Sequence, residues 1–202
     1  DYTLIVSQSA GSTTCRDTTS VNVQDLRAPL AAAIAPPDTL TCTRTEVDLA
    51  ATGSSTGPHL RYVWERLAGG AFVADSVGFS VGISAPGLYQ LTVQDTLSFC
   101  WDTTTVQVVQ DTAPPVVSAG AGFTLTCAVA ADTLQATATA GGAPIDYSWS
   151  GPCTAPTTLT GAIVVDCPGW YLVTATNLTN GCSATDSVVV IENRILPEAT
   201  IA

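Results

Sequence analysis

Apolar and polar residues alternate with a period of two along several stretches of this chain. The clearest stretches are 87–93 and 169–175. Their alternating apolar positions are Tyr89, Leu91 and Val93 in the first, and Tyr171, Val173 and Ala175 in the second. Such alternation is typical of β-strands that bury one face. Each stretch is therefore predicted to be a strand packed on a core.

Further strands are predicted around these two. Val106 with Val108, and Val188 with Val190, indicate returning strands after turn residues such as NLTNG. A third kind of strand carries large inward side chains, which are Leu60, Tyr62 and Trp64 in one place and Ile145, Tyr147 and Trp149 in another. No stretch has a helical period of useful length. About seven short strands in roughly 85 residues predict an all-β fold of immunoglobulin-like β-sandwiches.

The pattern recurs with a period of about 82–86 residues, so the chain is a tandem repeat. Cys42 and Cys127 lie 85 residues apart, and Cys100 and Cys182 lie 82 apart. Prolines mark the seams at Pro29, Pro115 and Pro197. The predicted units are 1–27 (the C-terminal strands of a preceding repeat), 28–112 and 113–195 (two complete repeats) and 196–202 (the start of the next repeat). We expect the chain to be a segment of a longer array.

The seven cysteines are predicted to form disulfides. Cys42 and Cys100 are predicted to form a disulfide at one end of the first repeat, and Cys127 and Cys182 are predicted to form its equivalent in the second. Cys153 and Cys167 occur only in the second repeat, which favours pairing them with each other. Cys15 is left over. It occupies the repeat position of Cys100, and the cysteine that would pair with it lies outside the chain. An intermolecular bridge or a free thiol at Cys15 is the alternative.

Composition then narrows the class of protein. The net charge is −11 and lysine is absent, so the chain lacks the cationic surface that nucleic acids or anionic lipids require. No apolar run reaches the length of a spanning helix, so no membrane insertion is expected in this segment. An acidic, threonine-rich chain with disulfides indicates an extracellular, cell-surface location.

Two strings carry a resemblance to known families. APGLYQLTV and CPGWYLVTA, each after a tryptophan-bearing strand, resemble the P-G-x-Y strand of PKD-type domains, although the glycine-aspartate signature after the tryptophan is missing. With LTC at the start, NGCSATDSVVV near the end and a proline seam, the repeats look like the tandem immunoglobulin-like repeats of large Bacteroidota surface adhesins. The resemblance is to the gliding-motility type, which the type IX route secretes.

The same resemblance implies O-glycosylation. Eight of the thirteen aspartates precede Ser or Thr and then an aliphatic residue or Thr, which resembles the Bacteroidota O-glycosylation signal. The candidate acceptors are Thr18, Thr39, Ser76, Thr96, Thr103, Thr112, Thr133 and Ser187. The alternative is that Asp-Thr is turn and strand-entry chemistry, repeated because the units are repeated.

Groups for catalysis or metal binding are scarce. His59 is the only histidine, so a serine triad would have to depend on it, and six cysteines are expected in bridges. We expect no enzyme, no metal site and no cofactor apart from covalent glycans. A calcium ion at the seams, near Asp25 and Asp111, is the lesser alternative because no D-x-D-x-D run supplies enough oxygens.

The tryptophans raise a choice between packing and sugar binding. Trp64 and Trp149 fit the core, whereas Trp101 and Trp170 break the alternation and are candidates for exposure. Their placement differs between repeats, which favours packing over a common sugar site.

The sequence thus predicts a non-catalytic, disulfide-stapled, O-glycosylated segment of an adhesin stalk or surface filament. Its expected partners are neighbouring repeats of the same chain or filament, with surface glycans or other cells as further partners. Two alternatives stay open, which are a carbohydrate-binding or spacer module of a secreted hydrolase and a strand-exchanging fibre subunit.

Overall fold

The structure is a computed structural model that describes residues 1–23, 29–153 and 160–195, and within them it contains strands and no helix. Asp25, Pro197 and the segment 196–202 lie outside the described residues. The strands are β1 (Tyr2–Ala10), β2 (Thr13–Val21), β3 (Leu40–Thr41), β4 (Val47–Ala50), β5 (Leu60–Phe72), β6 (Ser80–Asp95), β7 (Trp101–Val108), β8 (Gln110–Asp111), β9 (Val116–Ser118), β10 (Thr124–Leu125), β11 (Asp132–Gln135), β12 (Thr137–Thr139), β13 (Ile145–Ser150), β14 (Ala162–Val165), β15 (Gly169–Asn177) and β16 (Ser183–Glu192).

The first sandwich is organised around the long strand β6. Its first part pairs antiparallel with β4, and the rest pairs antiparallel with β5 on one side and β7 on the other. The short strand β3 runs parallel to β8, with Leu40 opposite Gln110 and Thr41 opposite Asp111. The residues that enter the fold therefore lie beside the residues that leave it.

The second sandwich repeats this plan. One sheet has the order β10-β16-β15-β13, and the pairs β11-β14 and β12-β9 complete the fold. The parallel pairing recurs, with Thr124 opposite Ile191 and Leu125 opposite Glu192. This repetition follows from the sequence period, since Leu125 is the counterpart of Leu40.

Each sandwich has its own core, built on one buried tryptophan and one buried tyrosine. Trp64 and Trp149 are both 1% exposed, as the sequence predicts. The hydroxyl of Tyr89 donates to the carbonyl of Ala85 at 2.7 Å, and that of Tyr171 donates to the carbonyl of Cys167 at 2.7 Å. This tyrosine bond, four residues back along the chain, is typical of immunoglobulin-like sandwiches. The fold is thus all-β and immunoglobulin-like.

The hairpin of β1 and β2 stands apart from both cores. Its two strands pair with each other from Tyr2–Val21 to Ala10–Thr13, and every residue in them is exposed. Leu4 and Val6 occupy the positions of Tyr89 and Leu91 in the repeat, yet they are 61% and 59% exposed. These strands show the alternation of a repeat without the core that the complete repeats provide.

Candidate functional site

The two sandwiches are joined by a disulfide between Cys42 and Cys182. The bond has a Cα–Cα distance of 5.2 Å and spans 140 residues of sequence. Beside it, the N–H of Cys42 donates to the carbonyl of Asn180 at 3.1 Å. We call the hairpin end 177–182 the docked tip and the segment 41–44 the docked turn. Together they form the joint, where the second repeat meets the first.

This pairing corrects the prediction that Cys42 pairs with Cys100 and Cys127 with Cys182. Thr41, next to Cys42, lies opposite Asp111 at the end of β8, whereas Cys100 precedes the start of β7. Strands rise about 3.3 Å per residue, so residues 101–111 separate the two cysteines by about 35 Å. Disulfide Cα atoms lie within about 7 Å of each other. Cys42 and Cys100 therefore stand at opposite ends of the first repeat, and Cys42 instead meets Cys182 of the second.

Asn180 fastens the docked tip to the end of the first repeat. Its side-chain nitrogen donates to Oδ1 of Asp111 at 3.0 Å and to the carbonyl of Ala113 at 3.0 Å. Its Oδ1 accepts from the N–H of Cys182 at 2.9 Å. The residue is 1% exposed, and both ends of its amide are satisfied. Buried amides stabilise a structure when their hydrogen bonds are complete, so Asn180 fixes the tip at the end of the first repeat.

Gly181 allows the docked tip to approach the turn closely. Its φ is +71°, a left-handed conformation that favours glycine. A Cβ on Gly181 would lie only 2.3 Å from Cγ2 of Thr43. The joint therefore depends on a side chain being absent at this position.

The other cysteines divide between a local bond and free thiols. Cys153 bonds to Cys167 with a Cα–Cα distance of 5.9 Å, which is the pairing that the sequence favours. Cys15, Cys100 and Cys127 are free in the described structure. That Cys15 pairs outside the chain stays a prediction.

Aspartates on β7 of the first sandwich and on β16 of the second hold the segment that enters each sandwich. Oδ2 of Asp102 accepts from the N–H of Ala32 at 2.8 Å, and Oδ2 of Asp186 accepts from that of Ala119 at 2.8 Å. The N–H groups of Ala119 and then Ser187 hold the pKa of Asp186 below its ordinary value. These carboxylates thus have a structural role in the described fold.

The candidate glycan acceptors are all accessible to some extent. Five are exposed and three are half-buried, the latter being Thr39, Ser76 and Thr103. In three of the motifs the aspartate caps the next residue, with Oδ1 accepting the N–H of Thr18, Thr133 or Ser187 at 2.7–2.9 Å. The hydroxyl of Thr96 donates to the carbonyl of His59 at 2.9 Å. Both interpretations of the Asp-Thr motif, glycan acceptor and local turn chemistry, therefore stay open.

No catalytic or metal-binding arrangement is seen among the described residues. His59 is exposed, and its carbonyl holds the loop at Thr96. Cys153, Asp166 and Cys167 lie within 4.8 Å of one another, but the two sulfurs are bonded to each other. The carboxylate of Asp111 accepts from Asn180, so this residue of the calcium alternative takes part in the joint.

Trp101 and Trp170 are exposed, at 66% and 68%. Trp101 lies opposite Gln94 in β6, and Trp170 lies opposite Val189 in β16. The part of the chain that the structure describes holds no helix long and apolar enough to cross a bilayer.

Neither the known protein families nor the curated proteins contain a match to this chain. Among solved structures, three N-terminal domains of the Highly Immunogenic Outer Capsid protein of bacteriophage RB49 are similar at 18% identity and a TM-score of 0.47. That similarity covers 81% of this chain and 59% of the phage chain, so this chain spans less than two thirds of it. Extracellular domains 3–5 of Drosophila OTK are 12% identical, with a TM-score of 0.40, over 90% of this chain and 68% of that one.

The N-terminal eight Ig domains of Down Syndrome Cell Adhesion Molecule are also similar. They are 13% identical, with a TM-score of 0.40, over 89% of this chain and 26% of that one. At these identities and scores the comparisons assign the chain to no family.

Proposed function

We propose that this chain is a structural repeat segment of an extracellular adhesin stalk or cell-surface filament. The observation that carries the proposal is the joint, where Cys182 and Asn180 of one repeat bind Cys42 and Asp111 of the repeat before it, and Asn180 also binds Ala113 at the boundary between the two. A covalent bond and a buried amide at the same contact limit rotation between neighbours. Resistance to bending is what a stalk requires of its units.

The disulfides support an oxidising compartment outside the cell. Closing a loop of 140 residues removes about 5 kcal/mol of unfolded-chain entropy in the loop-closure model. Stabilisation of this size suits repeats that are each too small to bury a large core. The joint therefore contributes both stiffness and stability.

We further propose that the segment is O-glycosylated at Asp-Ser/Thr motifs and comes from a Bacteroidota surface protein. The supporting features are the occurrence of the motif at eight of thirteen aspartates and the exposure of Thr18, Thr96, Thr112, Thr133 and Ser187. Intact-mass and peptide analysis of the protein shed from its native cells tests this, since hexose-containing additions are expected at these residues. Bare peptides at all eight motifs would refute it.

Small-angle X-ray scattering of the chain tests the structural role. In non-reducing buffer we expect one narrow distribution of inter-repeat distances, and in dithiothreitol a broader one, because the covalent restraint at Cys42–Cys182 is lost. Cys153→Ser with Cys167→Ser is the matched control, since it removes a disulfide within one repeat and should leave the distribution narrow. A broad distribution in both buffers would contradict the proposal.

Sugar binding is the second candidate, and the exposure of Trp101 and Trp170 favours it. Exposed aromatic rings stack on the apolar faces of sugars. A glycan array with the whole chain, repeated with Trp101→Ala and Trp170→Ala, tests this. Specific binding that either change abolishes would establish the sugar-binding role, and no binding would remove it.

Strand exchange is the third candidate, and the exposed apolar face of the β1–β2 hairpin favours it. The two described cores nevertheless draw on no residue of that hairpin. We therefore expect residues 28–195 to fold alone, as a circular-dichroism melt of that fragment would show. Failure of the fragment to fold would favour strand exchange.

A further inference from the structure

The first repeat carries a second tip of the docked kind, which we call the open tip, at 95–100. In the docked tip, Asn177 N–H donates to Cys182 O at 2.8 Å and Gly181 N–H donates to Asn177 O at 2.8 Å. The open tip repeats both bonds, from Asp95 N–H to Cys100 O at 2.9 Å and from Phe99 N–H to Asp95 O at 2.9 Å. The backbone that presents the cysteine is therefore the same in both tips.

The second repeat carries a second turn of the docked kind, which we call the open turn, at 126–129. In the docked turn, Thr41 N–H donates to Arg44 O at 2.8 Å, and Arg44 N–H donates to the Thr41 hydroxyl at 3.0 Å. In the open turn, Thr126 N–H donates to Val129 O at 2.9 Å, and Val129 N–H donates to the Thr126 hydroxyl at 3.0 Å. Its cysteine, Cys127, is free and exposed.

The side chains of the open tip and open turn complement each other in size. In the joint, Gly181 leaves room for Thr43. In the open tip the same position is Phe99, which has φ +58° and is 73% exposed. In the open turn the position of Thr43 is Ala128. Alanine lacks Cγ2 and Oγ1, the two atoms of Thr43 that a Cβ on Gly181 would approach most closely. The larger residue of the tip thus meets the smaller residue of the turn.

The two open faces also match in polarity. The open tip and the residue after it expose Leu97, Phe99 and Trp101, at 64%, 73% and 66%. The docked tip has Thr179, Gly181 and Ser183 at these positions. From the residue after the cysteine onward, the docked turn and its continuation are Thr43, Arg44, Thr45 and Glu46, whereas the open turn and its continuation are Ala128, Val129, Ala130 and Ala131. Clustered exposed apolar side chains mark interaction surfaces, and here each apolar face has an apolar counterpart.

We propose that the open tip and the open turn are the two halves of a second joint, formed between two copies of this chain and closed by a Cys100–Cys127 disulfide. The contact is head-to-tail, so it leaves one open tip and one open turn at the ends and can extend without closing. Bond formation removes two protons and two electrons from the thiols, and a small-molecule disulfide such as glutathione disulfide accepts them and becomes two thiols. The proposal rests on the proposed structural role, since it extends the same kind of joint to the next repeat.

Two single-thiol proteins test this joint. Both carry Cys15→Ser, because Cys15 has the register of Cys100. The tip protein adds Cys127→Ser and so keeps only the free thiol of Cys100. The turn protein adds Cys100→Ser and keeps only the free thiol of Cys127. The turn protein is labelled with nitrogen-15 so that intact mass separates the dimers. The two are mixed in equal amounts in reduced and oxidised glutathione. We expect the mixed dimer to exceed either homodimer by on the order of tenfold, with a Cys100–Cys127 peptide on mapping.

Ala128→Thr in the turn protein is the matched control. It restores the side chain of the docked turn, which would collide with Phe99, so the mixed dimer should fall to the random share. Intact Cys42–Cys182 and Cys153–Cys167 bonds show that each variant is folded. A random share of mixed dimer from the outset, or a share that Ala128→Thr leaves unchanged, would overturn the proposal.

A failure of the second joint can be distinguished from a failure of the proposed structural role. If the mixed dimer does not form while scattering shows a narrow inter-repeat distribution, this inference is lost and the proposed function stands. If scattering shows freely moving repeats, the proposed function is lost whichever dimer forms.

Discussion

The docked tip and the open tip have the same backbone and opposite surfaces. Asn177 and Asp95 begin the two tips, and in each the side-chain oxygen accepts an N–H two residues on, at 2.9 Å and 2.8 Å. At the next-to-last position, Gly181 fits under Thr43 whereas Phe99 projects into solvent. Turn chemistry thus fixes how the cysteine is presented, and the residues around it decide which turn it can meet.

The largest effect is expected from removing the disulfide of the joint. Cys42→Ser with Cys182→Ser should lower the free energy of unfolding by about 2–5 kcal/mol, because the unfolded chain loses its long-loop restraint. Urea denaturation of the whole chain, monitored by tryptophan fluorescence, measures this change for each repeat. Cys153→Ser with Cys167→Ser is the control and should destabilise the second repeat alone. Equal effects of the two pairs on both repeats would contradict the account.

Gly181→Phe turns the docked tip into a copy of the open one. The new side chain meets Thr43, and the backbone of the residue must keep the positive φ of Gly181. The change should therefore cost about 2–4 kcal/mol and leave Cys42 and Cys182 as free thiols. Thiol titration of the folded protein measures the loss. Adding Thr43→Ala recreates the residue pair proposed for the open joint and should restore part of the bond. No gain from the second change would show that size matching does not govern the contact.

Asn180→Ala should have the next largest effect. It removes hydrogen bonds to the Asp111 carboxylate and the Ala113 carbonyl and should cost about 1–3 kcal/mol. Differential scanning calorimetry of the whole chain measures the loss. Ser98→Ala, the matched change in the open tip, should cost less, because the described hydrogen bonds of the Ser98 side chain, with the N–H of Cys100 and with Asp95, lie within its own turn. Equal losses from the two changes would mean that Asn180 acts within its own turn only.

The smallest effect is a difference in acid response. The N–H of Leu97 is the main cause that lowers the pKa of Asp95 from 3.8. Because the folded pKa is lowered, the carboxylate stabilises the open tip above the unfolded pKa, and this contribution is lost as the pH falls through the folded pKa. The amide shifts of Leu97 should therefore titrate below pH 3.8, whereas Thr179, which follows the uncharged Asn177, should not. Asp95→Asn is the control, and titration at Leu97 that persists in it would refute the assignment.

The sequence predicts the local structure well and the joint poorly. Alternation identifies Tyr89, Leu91 and Val93, which are fully buried, because strand burial follows from a period of two. It places Cys42 at the wrong end of the repeat because β3 pairs parallel with β8, a non-local contact of two residues that alternation cannot show. The signal that could have revealed the joint is the difference between Gly181 and Phe99 at one repeat position.

Asn180 was missed for a related reason. In the sequence it is part of an ordinary turn string, NLTNG, and only its contacts with Asp111 and Ala113 show its role. Such contacts depend on how two folded repeats meet.

Disulfide mapping of the non-reduced chain tests the central claim most directly. The thiols are blocked at low pH, the protein is digested without reduction, and the linked peptides are identified by mass spectrometry. The account predicts a peptide pair that joins Cys42 to Cys182, a second that joins Cys153 to Cys167, and no bond between Cys42 and Cys100. Peptides that join Cys42 to Cys100 and Cys127 to Cys182 would instead show that each repeat is stapled within itself, and that the joint does not exist.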